Sequence, residues 1–160
     1  NGEPSLPDLA DYGTGHAGWY LDLPLAGERV INNVLLRDGR LIVISFTPDS
    51  DRCSDGGSSF LMQLNSFTGG KTAGLLFDIN QDGVIDVNDT VITGSDADGN
   101  PEKASPCGIV MPGNLQMPVF LLLNRDSEAT YMSSSIGAVH SVKEKAVRLG
   151  VTYWEELEQQ

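Results

Sequence analysis

Between positions 78 and 89 the chain runs Asp-Ile-Asn-Gln-Asp-Gly-Val-Ile-Asp-Val-Asn-Asp, with oxygen-bearing side chains at alternate positions, a glycine at the sixth and an apolar residue at the eighth. This stretch constrains the fold more tightly than any other, because a chain that wraps a hard dication needs alternate inward acceptors around a sharp turn. Such an ion takes about six to eight oxygens at roughly 2.3–2.6 Å. Gly83 supplies the turn, since glycine enters positive φ without steric cost. In this reading Asp78, Asn80, Asp82 and Asp86 give side-chain oxygens, Val84 gives its carbonyl, and Asp89 is a candidate sixth ligand. Ca2+ is the expected cofactor. Turn chemistry alone would explain each Asp, Asn and Gly separately but not their alternation.

The loop also predicts its own setting. A helix-loop-helix calcium hand needs a long amphipathic helix before the first ligand, whereas Thr68-Gly69-Gly70-Lys71-Thr72-Ala73-Gly74 holds three glycines, each costing about 1 kcal/mol in a helix interior. Lys71 to Phe77 is instead expected to lead in as a strand. Elsewhere the sequence reads as short strands and turns. Trp19, Leu21 and Leu23 alternate with Tyr20 and Asp22, predicting a strand over Gly18–Pro24. Gly27-Glu28 marks a turn, Arg29 to Leu36 a strand, Asp38-Gly39 a hairpin turn, and Arg40 to Thr47 a β-branched strand covered on both faces. Further strands are expected at Ser59–Asn65, Thr90–Gly94, Val110–Gly113, Thr130–Ser133, Gly137–Val142 and Val147–Trp154, with Val119–Leu123 as a central one. Asp96, Asp98 and Asn100 faintly resemble a second metal loop but read as a turn, because no later ligands precede Pro101.

At 160 residues the chain has the length of one domain, and 40% apolar residues suffice for a core. Ten Lys and Arg against 22 Asp and Glu give a formal charge of −12, which would repel phosphate backbones and excludes nucleic acid as a natural partner. The longest apolar run, around Val119–Leu123, is far shorter than the roughly 20 residues of a membrane span. Residues 1–16 read as a flexible arm ahead of the unit 17–160. Asn1-Gly2-Glu3-Pro4 carries no initiator methionine or apolar signal core, so any signal peptide is expected to have been removed or to lie further upstream, and the chain is expected to be a fragment of a larger protein. Cys53 and Cys107 both lie in Ser/Pro/Gly-rich loops, an arrangement expected of a disulfide between two loops in an oxidising compartment.

Catalytic groups do not assemble. His16 and His140 are isolated, Ser133-Ser134-Ser135 lacks nucleophile-elbow spacing, and Trp19, Tyr20, Tyr153 and Trp154 read as core or sheet-surface aromatics. The expectation is a protein that is not an enzyme.

Several phrases, in order, resemble one family. They are Gly18-Trp19-Tyr20-Leu21-Asp22-Leu23-Pro24 with Gly27-Glu28-Arg29-Val30, Phe46-Thr47-Pro48, Cys53 before Gly56-Gly57, Phe60-Leu61-Met62-Gln63-Leu64-Asn65-Ser66-Phe67-Thr68-Gly69, Phe77-Asp78-Ile79-Asn80 with Gly83, and Trp154. Over about residues 17 to 157 they resemble the end of the PilY/PilC-type proteins, tip-associated biogenesis factors and adhesins of type IV pili. The resemblance implies an all-β fold of antiparallel strands forming about two blades of a modified β-propeller, with calcium in a strand-end loop. It carries the shorter ligand set over to Asp78, Asn80, Asp82, Val84 and Asp86, leaving Asp89 behind the ligands. It implies a calcium-binding, non-enzymatic module supporting pilus assembly, extension and adhesion, at the cell surface, outer membrane or pilus tip of a Gram-negative bacterium. Implied partners are pilus subunits and minor pilins, the remaining propeller of the same protein, and a host-surface ligand. Two rivals share features with it. A dockerin-like calcium-dependent binding module uses the same loop opening but requires two loops with intervening helices, and a secreted quinoprotein-like propeller enzyme requires a cofactor-facing cluster.

Overall fold

The computed structural model describes residues 18–49 and 56–146, so the expected arm over 1–16, Cys53 and the strand at Val147–Trp154 lie outside the described residues. Ten strands and no helix are described: β1 (Arg29–Val30), β2 (Leu35–Arg37), β3 (Arg40–Pro48), β4 (Gly57–Asn65), β5 (Val91–Ser95), β6 (Pro101–Ala104), β7 (Gly108–Pro112), β8 (Val119–Leu122), β9 (Ser127–Ser133) and β10 (Val139–Lys145). They form a sheet ordered β1-β3-β4-β7 with β2 also paired to β3, a second sheet ordered β10-β9-β8, and a β5-β6 hairpin. Every strand pair is antiparallel. The all-β antiparallel expectation holds. The described residues form two main sheets and a hairpin, and these close into no propeller ring.

Period-two alternation decides which side chains meet. On β3, Ile42 and Ile44 face the same side as Leu61 of β4, and with Leu76, Phe77, Met111, Leu115, Met132 and Val142 they form the core that includes residues of both sheets. The opposite face, Val43, Met62 and Leu64, is covered by Trp19, Leu21 and Leu23. This covering segment corrects the expected strand at Gly18–Pro24. The alternation predicted there does set burial, because the odd residues are half-buried and the even ones exposed, but the segment pairs with no strand. Trp19 is fixed instead by donating its indole N–H to the Ser66 carbonyl (3.1 Å) while its ring lies on Gly69.

Other expectations change for local reasons. Arg29 to Leu36 is broken after Val30 into β1 and β2, which pair with opposite ends of β3. Asp38 and Gly39 both take positive φ (51° and 75°), the mirror-image turn that matches strand twist, so the hairpin forms as read. Lys71–Phe77 is no continuous strand. It pairs with the sheets at the bridges Leu64↔Lys71 and Phe77↔Glu144, with Gly74 at positive φ between them, and packs Leu76 and Phe77 into the core. Asp96–Asn100 is the turn of the β5-β6 hairpin, in which Asp96 accepts from the amides of Asp98 and Asn100. β8, expected to be central, is an edge strand among the described residues, with Val119, Leu121 and Leu122 exposed.

Between the two sheets lies a buried polar network. Arg37 gives both guanidinium nitrogens to Glu128 (2.6 Å each), and Arg40 donates to Glu128 (2.8 Å) and to Gln63 (2.7 Å). Glu144 accepts from Gln63 and from the Thr130 hydroxyl, with an Arg40 nitrogen 3.7 Å away. Burial raises the Glu144 pKa more than Thr130, Arg40 and Gln63 lower it, so it lies above its ordinary value. Burial also opposes charge on Glu128, but the hydrogen bonds from Arg37 and Arg40 outweigh it and its pKa is lowered.

Two outcomes are expected. The raised Glu144 pKa contributes stability in full below its ordinary value of about 4.5, and that contribution is lost as pH rises through the folded value. Urea unfolding from about pH 4.5 to 7.5 should therefore show wild type losing stability relative to Glu144→Gln as pH increases. A side chain at Gly69 meets both a positive φ (70°) and the Trp19 ring, 2.4 Å from an added Cβ. Gly69→Ala should destabilise the chain by about 1–3 kcal/mol in the same assay.

Candidate metal site

The site is placed by the edge of β10. The Asp78 amide donates to the Lys143 carbonyl (3.0 Å) and the Lys145 amide to the Leu76 carbonyl (2.8 Å), so residues 76–78 extend the second sheet by a short rung. Phe77 points into the core at 1% exposure and pins this rung. Beyond Asp78 the pairing ends and the backbone turns on itself.

That turn is built by side-chain acceptors and backbone donors. Asn80 Oδ1 accepts from the Asp82 amide (3.0 Å), Asp82 Oδ1 from the Val84 amide (2.8 Å), and Asp86 Oδ1 from the Asn88 amide (2.8 Å). These three acceptors lie at alternate positions of the predicted ligand series, each bonding the amide two residues on. Gln81 and Gly83 take φ of 61° and 87° and bend the loop back. The Gly83 amide then reaches across to Asp78 Oδ2 (2.9 Å).

Asp89 has a different task. Its Oδ1 accepts from the amides of Ile79 (2.7 Å) and Asn80 (3.2 Å), and its Oδ2 accepts from the Asp86 amide (2.9 Å). At 1% exposure it is a buried brace holding the two limbs of the loop together. Burial opposes its ionisation, but the amides of Asp86, Asn80 and Ile79 prevail and hold its pKa below the ordinary carboxylate value.

Among the described residues no three acidic, histidine or cysteine side chains converge into a ready-made metal cluster. One atom nevertheless fits the metal reading. Asp78 is 7% exposed, and its Oδ1 is buried with no hydrogen-bond partner. A carboxylate oxygen in that position is costly unless a positive charge meets it. Asn80 Nδ2 donates to Asp82 Oδ2 (2.9 Å), so these two neighbouring ligands already lie in contact.

Other sequence-predicted groups fall elsewhere. His140 Nε2 lies 3.1 Å from the Ser134 hydroxyl, which also bonds the Ala138 carbonyl in the β9-β10 turn. Cys107 is half-buried against the Val43 cluster. Tyr20 is exposed, and His16, Tyr153 and Trp154 lie outside the described residues. The helices a dockerin-like module requires are absent among the described residues, and no helix there is long and apolar enough to cross a membrane. The Arg37, Arg40, Glu128 and Glu144 network is the polar feature sequence reasoning missed. Its signal was present: Arg40 shares strand parity with Ile42 and Ile44, and Glu144 with Val142.

An antiparallel all-β unit with an Asx-built loop at a strand end is the class these features define. Comparison with known proteins narrows it. No family model matches the chain. The type IV pilus biogenesis factor PilY1 of Pseudomonas aeruginosa (strain PAO1) is 35% identical over 80 residues, covering 48% of this chain and 7% of that protein. A PilY1 homolog of Xylella fastidiosa (strain Temecula1) is 36% identical over 107 residues, covering 63% of this chain and 8% of that protein. Over part of its length the chain is similar to PilY1-type type IV pilus biogenesis factors, as its ordered phrases implied, and it spans 7–8% of the length of these two. A crystal structure of the P. aeruginosa PilY1 C-terminal domain superposes with a TM-score of 0.46 at 19% identity, covering 74% of this chain and 20% of that one.

Removing the brace should loosen the loop before any metal is added. Asp89→Ala leaves the amides of Ile79, Asn80 and Asp86 without their acceptor. A buried unsatisfied donor costs about 1–3 kcal/mol, so hydrogen exchange at those amides should accelerate at least about tenfold.

Proposed function

We propose that this chain is a calcium-binding, non-enzymatic surface module that supports type IV pilus assembly, extension and adhesion. The observation that carries the metal reading is the buried, unpartnered Oδ1 of Asp78 at the head of an alternating oxygen series. Asp78, Asn80, Asp82 and Asp86 would hold the ion through side chains and Val84 through its carbonyl, with Asp89 bracing the loop from behind. Calcium would offset repulsion among Asp78, Asp82 and Asp86 and fix the connection between the rung on β10 and β5. The loop would then be a clip on a sheet edge rather than a sensor that opens helices.

The pilus reading rests on the PilY1-type relatives and on the ordered phrases shared with that family. In this reading the protein is exported to the cell surface, outer membrane or pilus tip of a Gram-negative bacterium. Its partners are minor pilins and other pilus subunits, the rest of its own longer chain, and a host-surface ligand. Export would also suit a Cys53–Cys107 disulfide between two loops.

Calorimetric titration of Ca2+ into the chain tests the site. Asp78→Ala with Asp82→Ala should weaken calcium binding at least about tenfold, as expected when two charged ligands are lost. Equal affinity in wild type and variant would remove the metal assignment. The same pair of substitutions in the full-length protein should lower the number of surface pili per cell.

A further inference from the structure

The metal reading leaves an open cleft on the outer side of β10 unused. It encloses about 600 Å³ between the 83–85 limb of the loop and the β8-β9 turn. Its lining includes Arg125, Lys143 and Lys145, three of the ten cationic residues in a chain of charge −12, and Asp126 is the single carboxylate among the lining residues. None of the three forms an ion pair among the described residues, where the ion pairs belong to Arg37 and Arg40. Lys143 donates only to the Gly83 carbonyl, which holds its ammonium in the cleft.

We propose that this cleft docks an extended, carboxylate-bearing polypeptide segment. Lys143 and Lys145 are alternate residues of β10 and point to the same side of the sheet. Their stems are therefore about 7 Å apart, the spacing of alternate side chains in an extended peptide. An Asp-x-Asp or Glu-x-Glu segment lying along the cleft places one carboxylate over each ammonium, with Arg125 at the end able to take a third in bidentate fashion. Leu75, Val84 and Ile85 line the cleft as well and give apolar contact to intervening side chains. That wall favours a polypeptide over an acidic polysaccharide, whose hydroxyls would meet apolar surface without partners. Nucleic acid is disfavoured by the acidic remainder of the surface. None of the three cations is a metal ligand in the calcium reading, although Val84, whose carbonyl is, lines the same cleft.

The probe is the acetylated, amidated peptide Asp-Leu-Asp-Leu-Asp, titrated into the full chain at low ionic strength and followed calorimetrically. Binding should weaken about tenfold in Arg125→Ala with Lys145→Ala, remain unchanged in Lys103→Ala on the β5-β6 hairpin, and fall as salt is added. Arg125 and Lys145 are both exposed, so their removal leaves the core intact. Each single variant should lie between wild type and the double variant. Equal affinity in wild type and the double variant, or absence of binding at low salt, would overturn the proposal. Trigalacturonate binding as tightly as the peptide would overturn its polypeptide assignment.

Discussion

Two main sheets share this core, and the ion pair between Arg40 and Glu128 fixes how they meet. Both side chains are almost fully buried, on β3 and β9 respectively. Apolar contacts among Ile44, Leu61, Met132 and Val142 supply non-directional attraction, whereas a guanidinium shared between Glu128 and Gln63 accepts few orientations. Replacing such a pair with apolar residues need not weaken a protein, yet breaking one half strands a charge in the interior. The network is thus best understood as setting the register between sheets. Arg37 extends it to the surface, where its guanidinium also lies 4.3 Å from the Phe120 ring centre.

The calcium-type loop depends on that arrangement at one remove. Phe77 enters the shared core, the rung at residues 76–78 follows the edge of β10, and Glu144 on the same strand closes the polar network. A single strand therefore carries the support for the loop on its edge, the buried carboxylate on its inner face, and the two lysines on its outer face. Period-two geometry keeps these three roles apart although the residues are neighbours in sequence.

Much of this was legible in the residues. Apolar and β-branched runs between turn signals located β3, β4 and parts of β9 and β10, and Asp38-Gly39 found its hairpin, because local pattern and tertiary burial agree there. The alternating Asp and Asn residues of the loop, read from the sequence as ligands, form a series of side-chain-to-amide turns in the structure. The errors arose where burial and strand pairing part company. Trp19, Leu21 and Leu23 alternate as a strand would, but they cover a sheet face without joining it. Val119–Leu123 has the composition of a buried strand and lies on an edge, since hydrophobicity records apolar area and not which neighbour covers it. Spacing offered Asp89 as a candidate ligand, and the three amides its oxygens accept from lie on distant parts of the loop that spacing does not show meeting. The Arg40 and Glu144 pairing depends on a contact between distant strands that no local window contains.

The rung at residues 76–78 has one further consequence. By pairing with Lys143 and Lys145 it occupies backbone groups on the side of β10 away from β9. A loop that comes apart would uncover those groups and present a fresh template for a strand from another molecule. Holding the loop closed is therefore also a safeguard against self-association: its acidic residues guard a sheet edge by keeping a short piece of their own chain upon it.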